Sequence, residues 1–413
     1  MKVLIVNTNE NEGGAAKAAL RLYNSLISEN IDAYYLVDNK ISDDYRIVGL
    51  VSKIDKLKKV VRQQFDQLLV RRYKNRTGMI FSQNSTVFTS ELVDRINDIN
   101  PDIVHLHWVN NGMLNIKDLL RIKKPIVWTM HDSWLFTGGC HVPYKCEKYK
   151  DKCGACPVLG SYRQNDLSYK VFKTKEKIFE KINLTIVTPS KWLQSNCLTS
   201  QLLKDKSINV IPNGINMNLY KPIKKEIARE LLGLPLDKKI VLFTASSATS
   251  DPNKGFVKLS EAISKITFLD VVFVVLGGSK PKNAPNFNHD TYYLGQFHDD
   301  MAMVLAYGCA DVVVVPSLSE NLSNTIMESL SCAIPVVAFN IGGNGDMIEH
   351  KINGYLAKPF DASDLKDGIE WILNTTKYNQ LCTDAREKVM REFDSKMVAG
   401  KHIKLYESIL NAM

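Results

Sequence analysis

DVVVVPSLSENLSNTIMESLSCAIPVVAFNIGGNGDMIEHKINGYL, residues 311–356, decides the fold. Val312 to Val315 form an unbroken β-branched run between Asp311 and Pro316. Such a run marks a strand buried on both faces of a parallel sheet. A polar loop, residues 317–324, carries Glu320, and the helical pattern of residues 325–332 carries Glu328. A second strand, residues 335–339, leads into the glycine-rich loop Gly342-Gly343-Asn344-Gly345. This is a βαβ unit with its polar loops at the carboxyl ends of the strands, where open α/β sheets bind ligands. Ser323, Asn324 and Thr325 are small polar residues at the expected helix start, whose N–H groups and partial positive charge suit a phosphate. Taken singly, a glutamate is more often a solvated surface carboxylate than a ligand-binding one.

The ordered string changes that weighting. Pro316-Ser317, Glu320, Glu328-Ser329, Pro335-Val336-Val337 and Gly342-Gly343 together resemble the E-x7-E signature of retaining GT-B glycosyltransferases of family 4, the bacterial polysaccharide-type group 1 enzymes. The resemblance implies an α/β fold of the GT-B kind, two doubly wound Rossmann-like domains facing across a cleft. It also implies a nucleotide-sugar donor, a UDP- or GDP-sugar, with Glu328 on the ribose and Glu320 on the sugar.

The length of 413 residues suits two domains. Apolar content of 45% and charged content of 23% are those of a soluble globular protein. The opening KVLIVN reads as a strand and not a secretory leader, and no apolar run approaches the ~20 residues that span a bilayer. A cytoplasmic location is expected, with a peripheral position on the inner face of the membrane as an option. The net charge of +9 fits a polyanionic partner, but no nucleic-acid-binding motif accompanies it. Eight cysteines in so long a chain do not describe a secreted disulfide scaffold.

Residues 2–7 read as a first strand, followed by a loop with Gly13-Gly14-Ala15-Ala16 opening a helix. Small residues there let a ligand approach backbone N–H groups, although a plain strand–turn–helix connection reads the same way. The resemblance places the donor phosphates and acceptor against Gly14. No G-x-G-x-x-G fingerprint is present, which counts against a dehydrogenase.

Residues 52–76 read as a basic amphipathic helix with nine Lys or Arg against two Asp, and with Leu57, Val60, Val61, Phe65, Leu68 and Leu69 at helical spacing. Two readings stand side by side: an anionic membrane surface as partner, or an ordinary helix whose apolar face packs on its own domain.

Residues 102–108, DIVHLHW, and 125–134, PIVWTMHDSW, are further strands ending in polar groups. His105 and His107 share a strand face and read as structural or cleft-lining residues. The resemblance assigns His131 to the donor sugar. Cys140, Cys146, Cys153 and Cys156 follow in a C-x5-C-x6-C-x2-C spacing. Structural zinc, disulfides and free thiols are all compatible with it.

The segment INVIPNGI, residues 208–215, resembles the family's crossing into the second domain. It divides the chain into an acceptor-side domain, 1–205, and a nucleotide-sugar domain, 206–394, with the last helix, about 395–413, packing back on the first. In the second domain Lys254-Gly255 matches the family's lysine, whose charge would neutralise the diphosphate leaving group. The arginine that usually precedes it is missing, and residues 244–247 stand in its place. The resemblance adds Gly295 and Phe297 as contacts of the nucleotide base.

These readings describe a retaining, metal-independent glycosyltransferase acting on a glycan or polyprenyl-diphosphate-linked acceptor in surface polysaccharide synthesis. Glu320, His131 and Lys254 would carry the chemistry, with no cofactor required. The competing readings are a nucleotide-sugar epimerase of the same fold and a non-catalytic sugar-nucleotide-binding relative.

Overall fold

A computed structural model of the chain describes residues 1–49, 53–84, 92–245, 248–267, 270–280 and 289–413. The chain forms two compact α/β units. Unit 1 comprises Met1–Pro212 with Val398–Met413, and unit 2 comprises Asn213–Met397.

In unit 1 the strands are β1 (Lys2–Asn9), β2 (Asp32–Asn39), β3 (Ile47–Val48), β4 (Ile103–Leu106), β5 (Ile126–Thr129), β6 (Leu184–Thr188) and β7 (Ser207–Val210). They lie in the order β3-β2-β1-β4-β5-β6-β7 with every pair parallel. Val3 and Ile5 enter one apolar cluster, while Leu4 and Val6 enter another on the opposite face. Burial on both faces is why these strands appear in sequence as unbroken apolar runs. The helix Gly14–Ser28 follows β1, and from Val398 the last helix returns Val398, Ala399 and Tyr406 to the unit 1 core.

Unit 2 holds β8 (Lys239–Thr244), β9 (Val271–Leu276), β10 (Thr291–Tyr293), β11 (Val312–Val315), β12 (Val336–Phe339) and β13 (Gly354–Ala357). Their order is β10-β9-β8-β11-β12-β13, again all parallel. Asp311, just ahead of β11, is buried and ties three elements together. Its carboxylate takes Arg229 at 2.7 Å, Lys225 at 2.5 Å and the Ile240 N–H at 2.7 Å.

In each sheet the direction of strand succession reverses once, between β1 and β4 and between β8 and β11. The loops leaving these strand pairs diverge, and the crevice they leave is where a doubly wound sheet takes its ligand.

The basic segment differs from expectation. Its helix runs only from Lys53 to Leu68, followed by a 3-10 turn at Val70–Arg72, and Ser52 lies outside the described residues. Its sidedness is also reversed. Leu57 is 65% exposed and Ile54 64%, with Val60, Phe65 and Leu68 exposed as well, while Lys59, Arg62 and Asp66 point inward. Lys59 reaches Asn39 Oδ1 at 2.7 Å, Arg62 Nε donates to the Gly112 carbonyl at 2.9 Å, and Asp66 accepts the Asn84 N–H at 2.6 Å. Polar bonds to neighbouring loop ends hold this helix, so the reading in which its apolar face packs on its own domain is overturned.

Candidate functional site

Beside the β1/β4 crevice of unit 1, the ends of β4 and β5 gather a polar cluster. These strands are adjacent, with Leu106 opposite Trp128. Side chains two positions along on the neighbouring strand therefore meet diagonally. His105 Nε2 lies 2.7 Å from Thr129 Oγ1, His107 Nδ1 lies 2.8 Å from His131 Nε2, and the Trp108 indole N–H donates to Asp132 Oδ2 at 3.0 Å. Behind them Tyr406 of the last helix approaches His105 Nδ1 at 2.6 Å, and His402 packs on the His105 ring.

These contacts set protonation. Burial, reinforced by the neighbouring imidazoles, holds His105 and His107 well below the ordinary histidine range. Burial outweighs the pull of Asp132 and takes His131 down to about 4. His131 is therefore neutral near pH 7. The Nε2 of His107 is buried with no partner among the described residues. An orphaned lone pair costs less than an orphaned N–H, which places the His107 proton on Nδ1. His131 Nε2 then accepts, which leaves its own proton on Nδ1.

Asp132 is charged and held. Burial opposes its carboxylate, but His141, the Trp134 N–H and the Trp108 indole bring it below the usual carboxylate value. His141 spans Asp132 Oδ2 at 2.6 Å and Ser82 at 3.0 Å. At the end of β1, Gly13 has φ +91 and Gly14 opens the first helix at the surface, at the same switch point.

In unit 2 the switch point between β8 and β11 gathers the signature residues. Lys254 closes a short 3-10 turn after β8, and its Nζ lies 3.6 Å from Glu320 Oε1 in the loop after β11. The Asn253 carbonyl accepts the Leu318 N–H at 2.8 Å, locking the two loops together. Two glycines make that approach possible. A Cβ on Gly255 would sit 1.8 Å from the Pro316 carbonyl oxygen, and one on Gly342 would sit 1.7 Å from that of Glu320.

The helix Asn324–Ser331 begins with Ser323 as its cap, accepting the Ile326 N–H at 3.4 Å, so Asn324 and Thr325 occupy its first turn. Glu328 lies further along, 3% exposed, and accepts the Tyr307 hydroxyl at 2.8 Å. Gly295, with φ +71, bonds through its carbonyl to the Gly277 N–H at 2.6 Å, and Phe297 packs on the unit 2 core. Of residues 244–247, where the family's arginine is missing, Thr244 is buried, and Ser246 and Ser247 lie outside the described residues.

The four clustered cysteines line one cavity in unit 1, beside Gly138, whose N–H donates to Cys153 Sγ at 3.1 Å. They are unbridged in this structure. Among the described residues no three His, Cys, Asp or Glu side chains form a group that could hold a metal ion. The zinc expectation is not met by this geometry. Burial pushes the Cys140, Cys153 and Cys156 thiols up, and the nearby His141 is engaged by Asp132.

Tyr307 escaped sequence reading, and His107 was legible only in part. Tyr307 sits in a helical stretch and carries no motif. His107 was legible only as sharing a face with His105; the signal that finds it is the adjacency of β4 and β5, which are consecutive in the chain.

Two all-parallel, doubly wound units with loops of this kind at both switch points define a GT-B glycosyltransferase fold. Comparison with known proteins agrees. The Glycosyltransferase Family 4 model matches residues 13–219, and the model of Glycosyl transferases group 1 matches residues 224–389. The chain belongs to glycosyltransferase family 4.

It is 25% identical over 367 residues to the putative colanic acid biosynthesis glycosyl transferase WcaC of Escherichia coli, covering 82% of this chain and 83% of that protein. It is 24% identical over 351 residues to an uncharacterized glycosyltransferase of Methanocaldococcus jannaschii, covering 78% and 87%. Among solved structures, the sucrose-phosphate synthase of Thermosynechococcus elongatus superposes with a TM-score of 0.72 at 18% identity, covering all of both chains. Anabaena HepE in complex with UDP-glucose superposes with a TM-score of 0.67 at 16% identity, also covering all of both chains. At these identities the structural matches speak for the fold alone.

Proposed function

We propose that this glycosyltransferase moves a sugar from a nucleoside-diphosphate sugar to a glycan or lipid-linked glycan acceptor in surface polysaccharide synthesis, with retention of anomeric configuration and without a catalytic metal. The observation that carries the reading is the Lys254–Glu320 pair at the β8/β11 switch point, beside the capped helix that starts at Asn324. A cation and a helix N-terminus together suit a diphosphate. The named role of the Escherichia coli relative in colanic acid synthesis, and the UDP-glucose complex of HepE, support the acceptor and donor classes.

In this reading the bond between the anomeric carbon and the phosphate oxygen breaks, and its electron pair stays on the phosphate. Lys254 and the first turn from Ser323 to Thr325 stabilise that charge. Glu320 holds sugar hydroxyls, Glu328 a ribose hydroxyl, and His131 donates to the sugar from Nδ1. The acceptor oxygen attacks the face the phosphate leaves, and its proton passes to that phosphate. Gly14 lies at the acceptor and donor phosphates, and Gly295 and Phe297 at the base. The outward apolar stripe of the helix Lys53–Leu68, interleaved with exposed Lys56 and Lys58, supports reversible contact with an anionic membrane surface.

A thermal-shift screen of UDP-, GDP- and ADP-sugars tests the donor class. One nucleotide series should raise Tm by several degrees in wild type and less in Lys254→Ala. No shift with any nucleotide sugar would refute the reading. Incubation with donor alone separates transfer from epimerisation, since only an epimerase converts the donor without acceptor.

A further inference from the structure

A second cavity lies in unit 1, and none of its lining residues belongs to the His107–His131 cluster. It is about 600 Å³ and is formed where residues 69–75, after the basic helix, meet residues 159–170. The two segments are fastened together. The Tyr73 hydroxyl accepts the Leu167 N–H at 2.9 Å, and the Thr77 N–H donates to the Val158 carbonyl at 3.0 Å. Gly160, with φ +60, lets the Asn75 backbone come so close that a Cβ would lie 2.2 Å from the Asn75 carbonyl oxygen. These contacts, two between backbone groups and one through the Tyr73 hydroxyl, hold the two segments in place around the cavity.

Its charge is one-sided. Arg72, Lys74, Arg163 and Lys170 line it, and no carboxylate does. All four are exposed, and among the described residues none of them makes an ion pair. Four like charges around one cavity repel each other and gain only when an anion enters. Two of them are arginines, whose planar forks match phosphate oxygens. Leu69 adds apolar wall, with Leu159 and Leu167 buried behind it, and Leu68 and Phe65 are exposed on the helix that precedes Leu69 in the chain.

We infer that this cavity binds the diphosphate of a lipid-carried acceptor, with the phosphates on the four cations and the first carbons of the lipid along the leucines. The inference rests on the proposed acceptor class and deepens it, since it adds a site that holds the carrier and not the sugar. The chemistry shared with other sources is a diphosphate or phosphate anion, and the experiment separates them.

Wild-type protein and the double variant Arg163→Ala/Lys170→Ala are titrated with inorganic diphosphate, with neutral vesicles carrying a few per cent polyprenyl diphosphate, and with vesicles of phosphatidylglycerol in neutral lipid. Lys123→Ala, a surface change outside the cavity, is the control, and circular dichroism with a thermal melt verifies folding. We expect wild type to bind free diphosphate and to sediment with polyprenyl-diphosphate vesicles at lower lipid than with phosphatidylglycerol vesicles of matched charge. The double variant should lose about tenfold or more on the first two and the control nothing. Equal binding by wild type and a folded double variant overturns the site. Binding of free diphosphate without preference for the polyprenyl-diphosphate vesicles overturns the lipid assignment. If the double variant does not fold, the single variants Arg72→Ala and Lys74→Ala replace it, and wild-type binding by both overturns the site. None of these readouts uses a sugar nucleotide, so failure of the donor screen leaves them unaffected.

Discussion

Gly342→Ala tests whether the glycine-rich loop sets the position of Glu320. Gly342 has φ +53, and a Cβ built there would lie 1.7 Å from the Glu320 carbonyl oxygen and 2.8 Å from its carbonyl carbon. Real Cβ contacts are essentially never shorter than 3.0 Å, so one of the two backbones must move. The neighbour is a carbonyl and not a flexible side-chain tip, so the displacement of Glu320 is about 1 Å or more, enough to cost a positioned group about 100-fold in rate. A left-handed alanine adds about 1–2 kcal/mol of strain, which lowers Tm by about 5 °C in a unit of this size. The expected result is a loss of about 100-fold in kcat/KM with a modest fall in Tm.

Gly345→Ala is the internal control. Its Cβ would meet only Asn340 Oδ1, at 3.7 Å, and its φ is ordinary. The assay is initial-rate kinetics with the donor found by thermal shift, alongside calorimetric affinity for its nucleoside diphosphate. A folded Gly342→Ala enzyme within about threefold of wild type would refute the argument, because Glu320 would then tolerate displacement.

Two further outcomes follow from buried contacts. Tyr307→Phe keeps the ring but removes the hydroxyl that donates to Glu328 at 2.8 Å, a bond to a charged group worth about 1.5–3 kcal/mol. Nucleoside-diphosphate affinity should change by about tenfold or more through Glu328, and an unchanged Kd by calorimetry would detach Glu328 from the donor. In the unfolded chain the histidines protonate near pH 6.5, whereas burial holds His131 at about 4 and His402 at about 3, with His105 and His107 also well below that value. The unfolded state therefore binds more protons in this range, and stability falls as pH drops from about 6.5 toward 4. Tm should already decline between pH 6.5 and 5, before most carboxylates titrate, and a flat profile there would show these imidazoles to be hydrated.

The alternation of β-branched runs with amphipathic stretches, and the spacing of Glu320, Glu328 and Gly342-Gly343, were enough to read two parallel-sheet units with polar loops at the carboxyl ends of their strands. Those are properties of neighbours in sequence. A strand buried on both faces must be apolar throughout, and a loop at its carboxyl end must be polar. The partners of the site residues are another matter. The His107–His131 contact depends on β4 lying beside β5, the His105–Tyr406 contact spans 301 residues, and Tyr307 reaches Glu328 from a separate helix. The basic helix shows the same limit most plainly. Its periodicity marks an apolar face, but periodicity cannot say which face turns inward. That was decided by Asn39, Gly112 and Asn84, loop-end groups that bond Lys59, Arg62 and Asp66, because polar groups withdrawn from water must find partners wherever the fold places them.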